Sequence, residues 1–201
     1  MKYHVAGFLL LFALTTPIFG NSEIDSLLQE LDQTIAQSDV YEDSKKDRIN
    51  DIKGRLLQQH ISDDESYHIN DLLYQEYEFY ISDSARHYIN RCIDIARKNN
   101  DNHRLANSKI KKANLLATAG LYPEAIELLH SVNTSFLTRQ DSARYYLAFE
   151  HTYLYHAEYV SGDEVMGKYL GLRNIYRDSA LMLLPENSYL HTITKASLLI
   201  V

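Results

Sequence analysis

The chain has 201 residues, of which 45% are hydrophobic and 23% charged, and its formal net charge is −7. That balance belongs to one folded domain or a short repeat array and excludes a disordered chain, and seven Gly and three Pro are too few for many short strands and tight turns. The acidic balance, with no basic run denser than Lys45-Lys46-Asp47-Arg48 or Lys109-Ile110-Lys111-Lys112, excludes a surface that tracks nucleic-acid phosphates.

The N-terminus is basic (Lys2, His4) and then almost wholly apolar from Val5 to Leu14, broken at Thr15-Thr16-Pro17 and closed by Gly20 before polar Asn21-Ser22-Glu23. This is the layout of a secretory signal peptide over 1–20, and the apolar core is shorter than the roughly 20 residues a spanning helix needs. Apolar residues then recur at helical spacing along the chain. The first stripe is Ile24, Leu27, Leu28, Leu31 and Ile35, with Ser22 as its N-cap. The second lies within 44–60 and carries Ile49, Ile52 and Leu56. Ser62-Asp63-Asp64-Glu65 reads as a capping box that opens a third helix bearing Ile69, Leu72, Leu73, Tyr77 and Tyr80. Asp83 is placed as the cap of a fourth, whose stripe Ala85, Tyr88, Ile89, Cys92, Ala96 stops at Asn99-Asn100.

A fifth helix runs from His103 to Ala119 and ends at Gly120, where a left-handed residue is needed. Pro123 fits the first turn of a sixth, with Ala125, Ile126, Leu129 and Val132 facing inward. The seventh spans Gln140 to Val160, and Ser161-Gly162-Asp163 turns into an eighth that continues to Leu184 before Pro185. Ser188 begins a ninth. Starts near Glu65, His103, Gln140 and Ser188 give a repeat of about 37 to 48 residues, which is the period of stacked helix pairs. The order Ala113, Leu116, Gly120, Tyr122, Ala125 resembles the tetratricopeptide signature, with Lys112 where a large apolar residue is usual, and Leu73, Tyr77, Ala85, Cys92 is a looser match. The expected fold is all-α, a tetratricopeptide-like helical-repeat solenoid of antiparallel helix pairs. Its expected divisions are a leader (1–20), an N-terminal helical pair (21–61) and the repeats (62–201), with the array continuing past the chain's apolar end.

No catalytic, metal or cofactor site is legible. The nine His show no metal-ligand spacing, and His151 and His156, five apart, point about 140° from each other on a helix. There is no phosphate loop or nucleophile elbow, and the lone Cys92 falls on an apolar stripe where a packing thiol is expected. Sixteen Tyr are the compositional oddity, and most are assigned to packing between helices. The triplet Asp-Ser-Ala occurs at 83–85, 141–143 and 178–180. The first two positions suit helix caps, the third falls inside a helix, and the triplet also resembles an O-glycosylation acceptor of exported Bacteroidetes proteins.

On the tetratricopeptide resemblance, the groove-facing positions of the first helices fall on Asn107, Asn114, Tyr145 and Thr152. The stretch Ile24-Asp25-Ser26-Leu27-Leu28-Gln29-Glu30-Leu31-Asp32 through Tyr41 and Arg48-Ile49-Asn50, with Tyr176-Arg177-Asp178-Ser179 and Leu183-Leu184-Pro185, resembles a Bacteroides-type family of regulator-like proteins. That resemblance implies a signal peptide, a periplasmic repeat region, a membrane helix and a cytoplasmic regulator part, this chain matching the first portion. It implies a non-catalytic sensory domain on the periplasmic side of the inner membrane. The partner would be a protein, a peptide or a small ligand, without direct nucleic-acid binding, and membrane tethering would come only through sequence beyond the chain. The alternative is a freestanding periplasmic scaffold that assembles protein partners. Exported with its own leader from a Gram-negative host, the mature chain is expected to begin within a few residues of Asn21 by N-terminal sequencing, and membrane-bound material retaining Met1 would overturn that reading.

Overall fold

The structure, a computed structural model, describes residues 22–58 and 60–197. The expected leader, the side chain of Ser22 and the terminal residues 198–201 lie outside the described residues. By contacts the chain divides into two units, Met1–Ser44 and Lys45–Val201. Within the first, helix α1 (Ser22–Ala36) and the start of α2 (Ser38–Leu56) are separated by a single turn residue, Gln37. Ile24, Leu27, Leu28, Leu31 and Ile35 form a stripe on α1, each more than half exposed. Helix α2 begins at Ser38, earlier than expected, because the Gln37 carbonyl accepts from Val40 and Tyr41 and starts the next helix at once.

The second unit holds the C-terminal half of α2 and then α3 (Asp63–Tyr77), α4 (Ser82–Lys98), α5 (Asn102–Thr118), α6 (Tyr122–His130), α7 (Arg139–Tyr159), α8 (Asp163–Leu181) and α9 (Tyr189–Ala196). A single 3-10 turn, Thr134–Phe136, precedes α7. The regular elements among the described residues are all helices, without strands, as the periodicity predicts. Connections of three or four residues fold α3 onto α4, α5 onto α6 and α7 onto α8, giving three antiparallel pairs, with α5 also packed on α7. The expected division after residue 61 differs from the contact division, because Ile49, Ile52 and Leu56 of α2 pack into the core of α3 and α4.

Capping follows the sequence in most places. Ser62 accepts from the Glu65 N–H at 3.1 Å, but the Glu65 carboxylate takes Arg55 at 2.7 Å rather than closing a box. The complete capping box is at α7, where Thr138 and Asp141 satisfy each other's backbone N–H groups. Asp101 caps α5 and Ser188 caps α9. Asp83 is not the cap of α4: that helix starts at Ser82, so Asp83 lies in its first turn and pairs with Arg86 at 2.9 Å. Gly120 has φ +79°, the left-handed turn that lets α6 double back.

Alanines occupy the close crossings. Ala113 and Ala125 are fully buried in a core shared by α5, α6 and α7 with Ile110, Leu129 and Phe149. In the three Asp-Ser-Ala triplets, Ala85, Ala143 and Ala180 are each at most 1% exposed. The Ser142 and Ser179 hydroxyls donate to the carbonyls of Thr138 and Ile175. The third triplet is thus explained by packing, since Ala180 meets Ala143, Leu147 and Leu184 in one cluster. Cys92 is buried, its Sγ 3.8 Å from the Tyr67 carbonyl, and burial pushes its thiol up to about 12.

Tyrosines fill the wider gaps. Phe149 stacks on Tyr176 at 4.3 Å between centroids, Tyr153 on Tyr176 at 5.6 Å, and His156 on Tyr169 at 4.1 Å. Tyr122 also stacks on His156, at 5.0 Å, so one run of rings joins α6, α7 and α8.

Two outcomes follow from this packing. Ala125→Leu adds three carbons where no space exists and should destabilise the protein by about 1–3 kcal/mol, read as a lower melting temperature; an unchanged one would place the residue outside the crossing. For Asp141, burial alone would push the carboxyl up, but hydrogen bonds from Thr138, His103 and Asn107 outweigh it and hold the group below the usual range. A folded-state value below the unfolded one of about 3.9 adds stability that is fully present above that pH and disappears as pH falls through the folded value. The stability gap between wild type and Asp141→Asn should therefore be full at neutral pH and shrink below about pH 4 in urea titrations, whereas a gap independent of pH would remove Asp141 as its source.

Candidate functional groove

The first helices of successive pairs, α3, α5, α7 and α9, share one cavity of about 500 Å³. On α5 the lining positions are His103, Asn107, Ile110 and Asn114, which the 3.6-residue turn brings onto one face. On α7 they are Asp141, Arg144, Ala148 and His151. Tyr67 enters from α3 and Leu190 from α9. The floor is apolar (Ile110, Leu147, Leu190) and the walls carry amides, imidazoles and cations. Such a mixture gives a ligand apolar contact together with a few orienting hydrogen bonds.

Of the residues expected to face a groove, Asn107 and Asn114 do so. Tyr145 and Thr152 do not. Thr152 is fully buried and its hydroxyl donates to the Ala148 carbonyl at 2.7 Å. Tyr145 belongs to the run of rings, edge-on to Phe149 at 5.1 Å. The groove positions of α7 are one residue earlier, Arg144 and His151, a rotation of about 100°. The cause is the tyrosine packing against α8, which fixes how α7 is turned. The helical periodicity of α7 is weak because its buried residues include Asp141, Glu150 and Thr152 along with the apolar ones, so periodicity alone could not set this register. The signal that could have set it is the spacing Tyr145, Phe149, Tyr153, a ring every four residues.

The cations of the walls are already positioned. Arg104 lies 4.6 Å over the Tyr67 ring and bonds Asp64 at 2.6 Å. Lys111 pairs with Asp71, and Tyr74 donates to the Lys111 carbonyl at 3.2 Å. Tyr67 and Ser108 share a buried hydrogen bond of 3.0 Å, and burial pushes the Tyr67 hydroxyl up to about 12. His103 Nε2 is 3.0 Å from Asp141 Oδ2, which ties α5 to α7 at the groove's edge. Beneath His151, Glu150 is 3% exposed and takes Arg173 of α8 at 3.0 Å, with His151 3.4 Å from its other oxygen. Arg173 also donates to the Ser197 carbonyl at 3.2 Å, after the end of α9. None of these groups forms a nucleophile with an adjacent base. Among the described residues no set of three His, Cys, Asp or Glu side chains is placed to hold a metal ion, and no helix is long and apolar enough to cross a membrane.

Neither a curated protein nor a solved structure matches the chain. The family model described as the SusR N-terminal TPR domain matches residues 35–201. That span takes in the three antiparallel pairs from α3 to α8, the groove and the alanine crossings. Tetratricopeptide domains typically bind proteins or peptides, generally without catalysis. By sequence match over most of its length, and with the helical repeats that the match implies, the chain belongs to the SusR N-terminal TPR domain family.

Proposed function

We propose that the groove between α5 and α7 is the binding surface of a non-catalytic sensory domain, exported to the periplasmic side of the inner membrane, within a membrane-anchored transcriptional regulator. The observation that carries the binding reading is the cavity of about 500 Å³ with Asn107 and Asn114 two helical turns apart on its wall. The Asn114 amide can donate to and accept from the backbone of an extended segment, while Asn107, whose N–H groups are turned to His103 and Asp141, offers its Oδ1 as an acceptor. The sensory role is supported by the regulator-like resemblance in 24–50 and 176–185 and by the family's description as an N-terminal domain. Export is supported by the layout of residues 1–20. In this reading the ligand acts by differential affinity for two arrangements of the repeats.

The freestanding-scaffold reading is favoured by one observation, the exposed apolar stripe of α1, since such faces mark protein contacts. A photo-crosslinking residue installed at Asn114 or His151 in the native host should give discrete adducts. The same residue at Glu127 on α6 or Asn174 on α8, both exposed on the outer helices, should give none. Adducts from the outer positions alone would overturn the groove as the binding surface.

A further inference from the structure

Next to the groove lies a second cavity of about 450 Å³, lined by Ala143 of α7, by Leu183, Leu184 and Pro185 after α8, and by Leu190 of α9. Arg144 and Leu190 line both cavities, so the two meet at those side chains. The second cavity is apolar at its base, where Ala143 is 1% and Leu184 7% exposed. No carboxylate lines it, and two guanidinium groups do, Arg139 and Arg144. Arg139 is committed to the fold, its Nε donating to the Leu183 carbonyl at 3.0 Å and its Nη2 to that of Met182 at 2.9 Å. Arg144 is placed otherwise. Its side chain is 57% exposed, its contact to Asp141 is a loose 3.6 Å, and it lines both cavities, so its guanidinium, with five donors, keeps the capacity to take a second carboxylate there.

Resting on the reading of the groove as a peptide-binding surface, we infer that this cavity is its specificity subsite. It takes one large apolar side chain of an extended peptide, and the carboxylate of an adjoining acidic residue pairs with Arg144. The lining suits an aromatic or branched aliphatic group, because an apolar base with a charged rim fixes the direction of a ligand. Charge decides the neighbouring position: a basic residue there would meet Arg144, and an acidic one gains a charge-assisted, bidentate partner.

The test uses the exported full chain and four fluorescent hexapeptides, Ser-Gly-Phe-Asp-Gly-Ser and its counterparts with Ala for Phe, Asn for Asp and Lys for Asp, read by anisotropy. The Phe-Asp peptide should bind about tenfold or more tightly than each of the other three. Arg144→Glu, a change at an exposed position, should remove that preference and favour the Phe-Lys peptide instead. Equal binding of all four peptides, or a preference that survives Arg144→Glu, overturns the subsite while leaving the groove reading intact. Binding of none of them, with crosslinks from Asn114 still present, also overturns the subsite. Loss of those crosslinks is the separate failure of the groove itself.

Discussion

Two helices approach closely only where a side chain ends at its β-carbon, and this constraint organises the repeat unit. Ala85, Ala113, Ala125, Ala143, Ala148 and Ala180 are each at most 1% exposed, and they sit on the faces that meet. Because interiors are close-packed, a larger group at such a point cannot be absorbed by small shifts. Where alanine sets the separation on one side of a helix, bulky residues fill the opposite side. The run from Tyr145 through Phe149, Tyr153 and Tyr169 to His156, with Tyr176 stacked on Phe149 and Tyr153, does this around α7. The inner faces of α5 and α7 are what remains, and they become the walls of the groove. Its geometry is thus a consequence of the packing behind it.

The fold was largely legible because each helix announces its own ends. Gly120, Pro123, Ser62 and Ser188 are local signals whose backbone demands do not depend on neighbours, and the structure uses all of them. The signals that misled were those open to competition. Asp83 suits a cap, but α4 reaches back to Ser82; Glu65 suits a capping box, but Arg55 of α2 offers a charged partner. The second is a tertiary contact, which no local pattern contains.

The groove was half legible, for a similar reason. Helix α5 has a clear inner face, since Ala106, Ile110, Ala113 and Ala117 are buried and Asn107 and Asn114 stand beside them. Helix α7 is enclosed by α5, α6 and α8, so burial extends most of the way around it. With polar residues on its buried side, its hydrophobic pattern no longer marks a direction. The rotation that placed Arg144 and His151 in the groove, in place of Tyr145 and Thr152, is fixed by ring contacts to another helix. The second cavity was invisible for the same cause: its base is assembled from α7, the α8–α9 connection and α9, segments up to 47 residues apart (143 to 190).

The pair of Glu150 and Arg173 bears on how this sequence can drift. Each is 3% exposed and each satisfies the other. Replacing either alone leaves a charge stranded in a low-dielectric interior, which costs about 3–5 kcal/mol, while replacing both with apolar residues of similar volume can be neutral. A single-step path from the charged pair to an apolar one therefore passes through an unstable intermediate. Among descendants of this chain, positions 150 and 173 should be inherited as a unit, both ionic or both apolar. The same guanidinium also donates to the main-chain carbonyl of Ser197, an acceptor that any residue supplies, so the coupling stays confined to positions 150 and 173.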